Sequence, residues 1–471
     1  MDVLDLARLQ FALTTIFHFI FVPISIGLSF LVAIMETLYV VKKNELYKRM
    51  AKFWGTFLLI NFAVGIVTGI LQEFQFGMNW SEFSRFVGDI FGAPLAIEAL
   101  LAFFLESAFI GLWVFGWNRL SPKVHLACIW LVSAGTMISA LWILAANSFM
   151  QRPVGYTINN GRAEMTDFMA LLTNGQLLWE FPHTISAAIA TGAFLVAGIS
   201  AWSLLRKRET EFFRSSFKLS IIVALIASVA IAEFGHKQAQ YLMDTQPMKM
   251  AASEGLWETS GDPAPWTVFA IIDPENRENR FEIKIPYLLS FLSYSKFSGA
   301  VPGMNELQAE YEKTYGPGDY IPPVRTTFWS FRIMVACGTA MILLGLYGSF
   351  LALRKKWDKM GGWFLRAMVA AIFLPFVANT AGWIMTEIGR QPWTVFGLLT
   401  VEDSVSPGVT AGEIWFSLIS FTTMYLILLF VLIFLFIRTA RRGPERERER
   451  EQQDPAFDPY ALEGGDSVAA Q

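Results

Sequence analysis

Nine apolar stretches, each nearly free of charge, run through this chain at about 9–40, 53–74, 93–117, 123–148, 176–204, 216–236, 326–353, 364–388 and 412–438. A hydrocarbon core roughly 30 Å thick is crossed by about 20 helical residues. Inside it, backbone N–H and C=O groups find no water and must pair within their own segment or in a closed barrel. Runs of this length therefore leave one fold class, an all-α polytopic membrane protein with nine transmembrane helices. Composition agrees: 54% of residues are hydrophobic and only 16% charged, against about a quarter charged in a soluble domain. The N-terminal "MDVLDLARLQ" is acidic and lacks a positive leader, so the first run is expected to be a retained helix rather than a cleaved signal. Cys128 and Cys337 lie in apolar runs near opposite membrane faces, which argues against a mutual disulfide, and no CxxC metal motif occurs.

The connections alternate in charge. Those after spans one, three, five and seven read "VKKNELYKRMAK", "NRLSPK", "LRKRETEFFRSSFK" and "LRKKWDKM". Those after spans two, four and eight hold one or two basic residues each. Basic loops stay in the cytoplasm. The N-terminus is thus expected outside and the "RTARRGPERERER" tail in the cytoplasm. The chain divides into spans one to six (1–236), a long extracytoplasmic loop (237–325), spans seven to nine (326–440) and a charge-rich tail (441–471) expected to be disordered. A polar loop as long as 237–325 is functional or disordered rather than mere connection. The outer ends of spans four and eight, "NSFMQRPVG" and "EIGRQPWTV", are weakly alike. Two four-helix bundles plus one peripheral helix would suit that likeness.

Ionisable residues at membrane depth are costly and point to function. By position in their runs His18, Glu98, His183, Met334, Arg332 and Glu387 all fall in the outer half of the membrane, with Glu106 about 12 Å deeper than Glu98 by helix rise. Each taken singly has an ordinary explanation. His18 and His183 suit hydrogen-bonded interior or interfacial histidines, Met334 packing, and Arg332 a side chain reaching the interface. Glu387 and Arg390 suit an i,i+3 ion pair, and His125 and His236 interfacial roles. Glu98 and Glu106 resist this treatment, because no basic residue shares their span. Together the set suits haem: a His and a Met on different helices make a low-spin axial pair, and a lone His leaves a position open for oxygen. Arginines at the boundary can pair with propionates. The absence of a CxxCH motif excludes covalently attached c-type haem, and two unpaired carboxylates suit a proton relay.

The stretches "RLQFALTTIFHFIFVP", "GAPLAIEALLAFFLES", "ANSFMQRPVG", "WEFPHT", "FWSFRIMV" and "GWIMTEIGRQPW" together resemble subunit I of cytochrome bd, the copper-free quinol oxidase of prokaryotic respiratory chains. The resemblance covers nearly all of residues 1–440. It implies that His183 and Met334 hold a low-spin haem b with Arg332 beside it, and that His18 and Glu387 serve the two remaining haems, a high-spin b and a haem d. It implies that Glu98 lies next to the high-spin pair, and that Glu106, Ser107 and Ser139 belong to a proton path. Trp383 and Arg390 would pack against and charge-balance the high-spin haems. In the loop, "DTQPMKMAASEGLWET" resembles the quinol-oxidising segment, with Lys249 and Glu254 at the positions for quinol binding and proton acceptance. Glu254 is expected there as an exposed carboxylate. The loop looks like the family's short form.

The implied activity is quinol:O2 oxidoreduction, with quinol protons released outside and cytoplasmic protons consumed, so that charge is separated without a pump. Implied partners are a second oxidase subunit, small single-span subunits, ubiquinol or menaquinol, O2 and the lipid bilayer; no nucleic acid is expected. Two rival classes are a proton- or cation-coupled transporter and a haem-binding redox sensor without turnover. A transporter's broken helices would meet at the midplane, whereas this polar set is displaced outward.

Overall fold

The structure is a computed structural model and describes residues 2–453. Among the described residues nine helices are long and apolar enough to cross a membrane: Val3–Lys42, Glu45–Met78, Ser81–Phe115, Pro122–Gln151, Gly175–Leu205, Thr210–Thr245, Val324–Leu353, Gly362–Ile388 and Ala411–Pro444. These are spans one to nine. Most outrun their apolar cores. Span one, at 40 residues, would be about 60 Å long by helix rise, so its ends project beyond a bilayer. The ends are capped by short polar residues that the hydropathy pattern left outside. Asp2 accepts from Asp5 N at 2.7 Å, and Asn44 from Leu46 N at 2.9 Å. The tail expected from 441 onward lies outside the described residues beyond 453. Within them the last helix continues past a non-helical Gly443.

Spans one to four pack as one group and spans five to eight as another, joined where span one meets span five; span nine lies against spans one and two. The joint is tight. A Cβ added to Gly27 would lie 2.4 Å from the Ala188 carbonyl oxygen, and one on Gly192 2.5 Å from the Gly27 carbonyl carbon. Only residues without side chains let the two backbones approach this closely. A continuous core of Phe21, Trp54, Phe57, Phe194, Phe213 and Phe217, among others, fills the end away from the loop.

The two ends differ in kind. Short turns at 43–44, 116–121, 206–209 and 354–361 close one end. The other end carries the folded connections: hairpins Tyr156–Asn159/Arg162–Met165 and Trp393–Val395/Leu399–Thr400, and the segment between spans six and seven. That segment is ordered. Helix Pro247–Glu254, the antiparallel hairpin Trp266–Asp273/Glu278–Ile285 and helix Met304–Tyr315 share an apolar core that includes Met248, Trp257, Ile272, Tyr311 and Phe328; helix Leu288–Tyr294 packs through Leu289 into a second one with Met250, Leu256, Ala264 and Val301.

Candidate functional site

Span four serves as a ruler, because it meets polar side chains from its loop end to its far end. Near the loop end, Asn147 Nδ2 and Gln151 Nε2 donate to Glu387 Oε1 at 3.0 and 3.3 Å. Arg390 Nη2 donates to the other oxygen of Glu387, and Arg390 Nη1 to the Thr394 carbonyl. The expected i,i+3 ion pair therefore exists, yet it does not exhaust the site: Arg390 Nε is buried without a partner. The Glu387 side chain keeps 31% of its surface although the surrounding chain encloses it.

Both candidate histidines have their tautomer set by one neighbour. Thr68 Oγ1 donates its only hydrogen to the Gly65 carbonyl at 2.7 Å. Toward His18 Nδ1, 3.0 Å away, it can then only accept. His18 thus carries its proton on Nδ1 and leaves the Nε2 lone pair free. His183 Nδ1 donates to the Ile231 carbonyl at 3.1 Å, with the same result. An acceptor that holds one ring nitrogen's hydrogen, fixes the ring and frees the other nitrogen is what a metal-ligating histidine needs.

Glycine faces each of these rings and Met334. A Cβ at Gly69 would lie 3.4 Å from His18 Cε1, one at Gly235 3.0 Å from His183 Cε1, and one at Gly382 2.9 Å from Met334 Sδ. His18 and His183 also retain accessible surface while enclosed by the chain. Free lone pairs, glycine-cleared flanks and a buried guanidinium nitrogen without a partner all fit haem. His183 and Met334 project from spans that pack on the same neighbours, spans six and eight. Phe19, next to His18, stacks on Trp383 at 4.8 Å, which brings span one beside the Glu387 turn.

The loop residues depart from expectation. Lys249 and Glu254 are buried, at 2% and 1% exposure, so Glu254 is not an exposed carboxylate. It pairs with Arg332 Nη2 at 2.6 Å. Arg332 Nε also donates to the Thr267 carbonyl at 2.7 Å and Nη1 to the Ser253 carbonyl at 3.2 Å. Arg332 thus spends three nitrogens on the loop and ties it to the turn that bears Met334. Burial pushes the Glu254 carboxyl up, with Arg332 opposing. Lys249 Nζ donates to Gln151 Oε1 at 2.5 Å, so Lys249, Gln151 and Glu387 form one hydrogen-bonded chain. Burial and then Arg390 lower the Lys249 ammonium to about 7, against Glu387 and Glu180.

Deeper on span four, Ser139 Oγ donates to Glu98 Oε1 at 2.6 Å. About 6 Å further along by helix rise, Gly135 faces Glu106, whose Cγ would sit 2.8 Å from an added Cβ. Glu106 Oε1 is buried without a partner. Glu98 and Glu106 reach the same neighbour because Glu98–Phe103 is a π-helical turn. Such a wide turn absorbs about one extra residue, so positions eight apart behave as about seven and share a face. Ser107 is not drawn into this set; its hydroxyl bonds the Phe104 carbonyl of its own helix at 3.2 Å.

Sequence reasoning missed several members. Asn147 and Gln151 stand four apart in the quoted "ANSFMQRPVG", a spacing that signals one polar face. Glu180, 3% exposed, accepts from Ser148 and Gln176 at 3.2 and 3.1 Å and has one oxygen without a partner; it stood unremarked in "WEFPHT". His125, at the end of span four, is not left to solvent: it is 3% exposed and bonded to Glu36.

Comparison with known proteins meets this geometry. Residues 6–444 match the family model of cytochrome bd terminal oxidase subunit I. The chain is 66% identical over 443 residues to cytochrome bd ubiquinol oxidase subunit 1 of Bacillus subtilis (strain 168), covering 94% of each. It is 40% identical to cytochrome bd-II ubiquinol oxidase subunit 1 of Escherichia coli (strain K12), covering 94% of this chain and 97% of that one. Its fold matches the bd oxidase structure from Geobacillus thermodenitrificans with a TM-score of 0.86 at 30% identity, over 94% of this chain and 99% of that chain. The chain belongs to the cytochrome bd terminal oxidase subunit I family.

Proposed function

We propose a division of labour among these residues within a multi-pass membrane terminal oxidase that uses haem and quinol. The observation that carries it is the pair of links from loop to ligands: Lys249–Gln151–Glu387, and Glu254–Arg332 two residues before Met334. Haem, when bound, supplies electron transfer and the binding and reduction of O2. His183 and Met334 hold the low-spin haem b; His18 and Glu387 hold the remaining two, a high-spin b and a haem d. Trp383 and Arg390 pack against that pair, Arg390 also offsetting the Glu387 charge. Lys249 and Glu254 bind the quinol head group and take its protons on the outer face, as groups poised by burial. Glu106, Ser139 and Glu98 pass cytoplasmic protons outward. The bilayer separates the two sets of protons, so turnover builds a proton motive force without pumping.

The four short turns with their basic residues support a cytoplasmic placement of that end. The N-terminus and the loop segment 237–325 then lie outside, with 1–236 and 326–440 spanning and 441–471 inside. The apolar faces of spans three and nine, including Leu100, Phe104, Phe416 and Phe430, meet lipid and the second subunit that the resemblance implies.

A reduced-minus-oxidised visible spectrum, with and without carbon monoxide, tests this reading. Low-spin b and a chlorin-type band are expected, and Met334→Leu removes only the low-spin signal. Well-folded protein without any haem signal overturns the oxidase assignment. A Met334→Leu enzyme with an unchanged low-spin signal and lower oxygen consumption overturns the ligand assignment.

A further inference from the structure

Near the short-turn end of span four lies a buried acid–base pair that the division of labour above does not use. Glu36 of span one and His125 of span four are 1% and 3% exposed, with His125 Nδ1 2.6 Å from Glu36 Oε1. His125 Nε2 lies 2.7 Å from the Trp113 carbonyl oxygen, which can only accept, so Nε2 carries a hydrogen. Trp113 Nε1 donates to the second Glu36 oxygen at 2.7 Å. One proton therefore sits in the Nδ1–Oε1 bond. It belongs to an imidazolium facing a carboxylate or to a carboxylic acid facing an imidazole; both are neutral overall. A permanently charged pair gains little from such burial. A pair sharing one mobile proton is a place to hold a proton.

Its position gives it a use. Span four meets three carboxylates along one side: Glu36 through His125, Glu106 across Gly135, and Glu98 through Ser139. Between the levels of His125 and Gly135, about 15 Å apart by helix rise, stands Ser133, with a buried hydroxyl lacking a partner; just past Gly135 is Thr136, whose Oγ1 is 3.4 Å from Ser29 Oγ. Cys128, Ile129 and Val132 are buried and apolar in the lower part of that interval. The outside of the pair is nearly closed. Trp117 lies over the His125 ring at 4.1 Å, Lys52 covers Trp117 at 5.3 Å, and a Cβ on Gly116 would come within 3.1 Å of His125 Cδ2.

We propose that Glu36 and His125 form the proton-loading station at the cytoplasmic mouth of the path to the oxygen site. The inference rests on the oxidase reading given above. The pair gives its shared proton to the Ser133–Glu106 level through transient internal water, leaving a carboxylate beside a neutral imidazole. A proton from cytoplasmic water then restores it, so each passage balances.

The test uses the whole oxidase purified from membranes, with rates expressed per haem so that a poorly assembling variant still reports. In Glu36→Gln, oxygen consumption is expected to fall on the order of 100-fold, with an increased H2O/D2O rate ratio. Haem reduction by quinol under anaerobic conditions should keep the unmodified rate, because quinol reacts at the other end of the molecule. Glu36→Asp should recover most of the loss, and His125→Phe should behave like Glu36→Gln. A purely structural pair would shift both half-reactions together or neither. Glu36→Gln and His125→Phe enzymes with unmodified oxygen consumption, or with both half-reactions slowed equally, overturn the proposal. Absence of quinol oxidation in the unmodified enzyme overturns instead the reading on which it rests.

Discussion

At His18 the decisive atom is Nε2, the ring nitrogen left with a free lone pair. Thr68 can only accept from Nδ1 because its own hydrogen is already given to the Gly65 carbonyl. Loss of that acceptor lets the ring rotate and invert its tautomer. Thr68→Val is expected to lower haem retention or oxygen consumption about 10- to 100-fold, while Thr68→Ser, which keeps the hydroxyl, stays close to the parent. Haem content per protein and the carbon monoxide difference spectrum check this; a Thr68→Val enzyme indistinguishable from the parent would remove Thr68 from the ligand's support. None of this was visible from spacing, because His18 and Thr68 are 50 residues apart. The candidate ligands themselves were legible, since an uncommon polar residue in an apolar run stands out. Glu36 did not stand out: it lies six residues from the end of span one, where a charge reads as interfacial.

At the scale of helices, two packing devices position the site. The π-helical turn Glu98–Phe103 turns Glu106 onto the face of Glu98. The Gly27–Gly192 crossing sets the distance between span one, which carries His18, and span five, which carries His183. A methyl group at Gly27 meets backbone at 2.4 Å rather than a movable side chain, so both helices must shift. Gly27→Ala is expected to cost about 1–3 kcal/mol, read as a lower midpoint of thermal inactivation. Gly77→Ala, where an added Cβ meets nothing within 4 Å, serves as the control and should leave the midpoint in place. Equal midpoints for the two variants would show that the crossing tolerates repacking. The sequence displayed both glycines, but nothing in its pattern paired position 27 with 192.

Across the whole molecule, the loop after span six and the helical bundles act as one device, joined through Gln151 and Arg332. Lys249 shows this in its titration. Its ammonium, ordinarily deprotonated only near 10.5, is lowered to about 7 by burial and by Arg390. Below that value Nζ is charged and has no capacity for a quinol proton; above it the neutral amine can accept one. The quinol kcat/KM is therefore expected to rise with pH through about 7 and then level off. Lys249→Gln should give a lower, flatter profile, and an unchanged profile in that variant would sever Lys249 from the proton acceptance. Fold class, span number, the expected topology and the polar candidates came from the sequence alone, because hydrocarbon enforces apolar length on any helix and makes every polar exception costly; Met334 was assigned as a ligand only through the family resemblance. Tertiary structure decided the rest: that Glu254 is buried against Arg332, that Lys249 reaches Glu387 through Gln151, and that Glu36 meets His125. Those are pairings between helices. The depth of a residue can be read along one segment, but its partner depends on which faces of separate segments meet, and local pattern does not encode that.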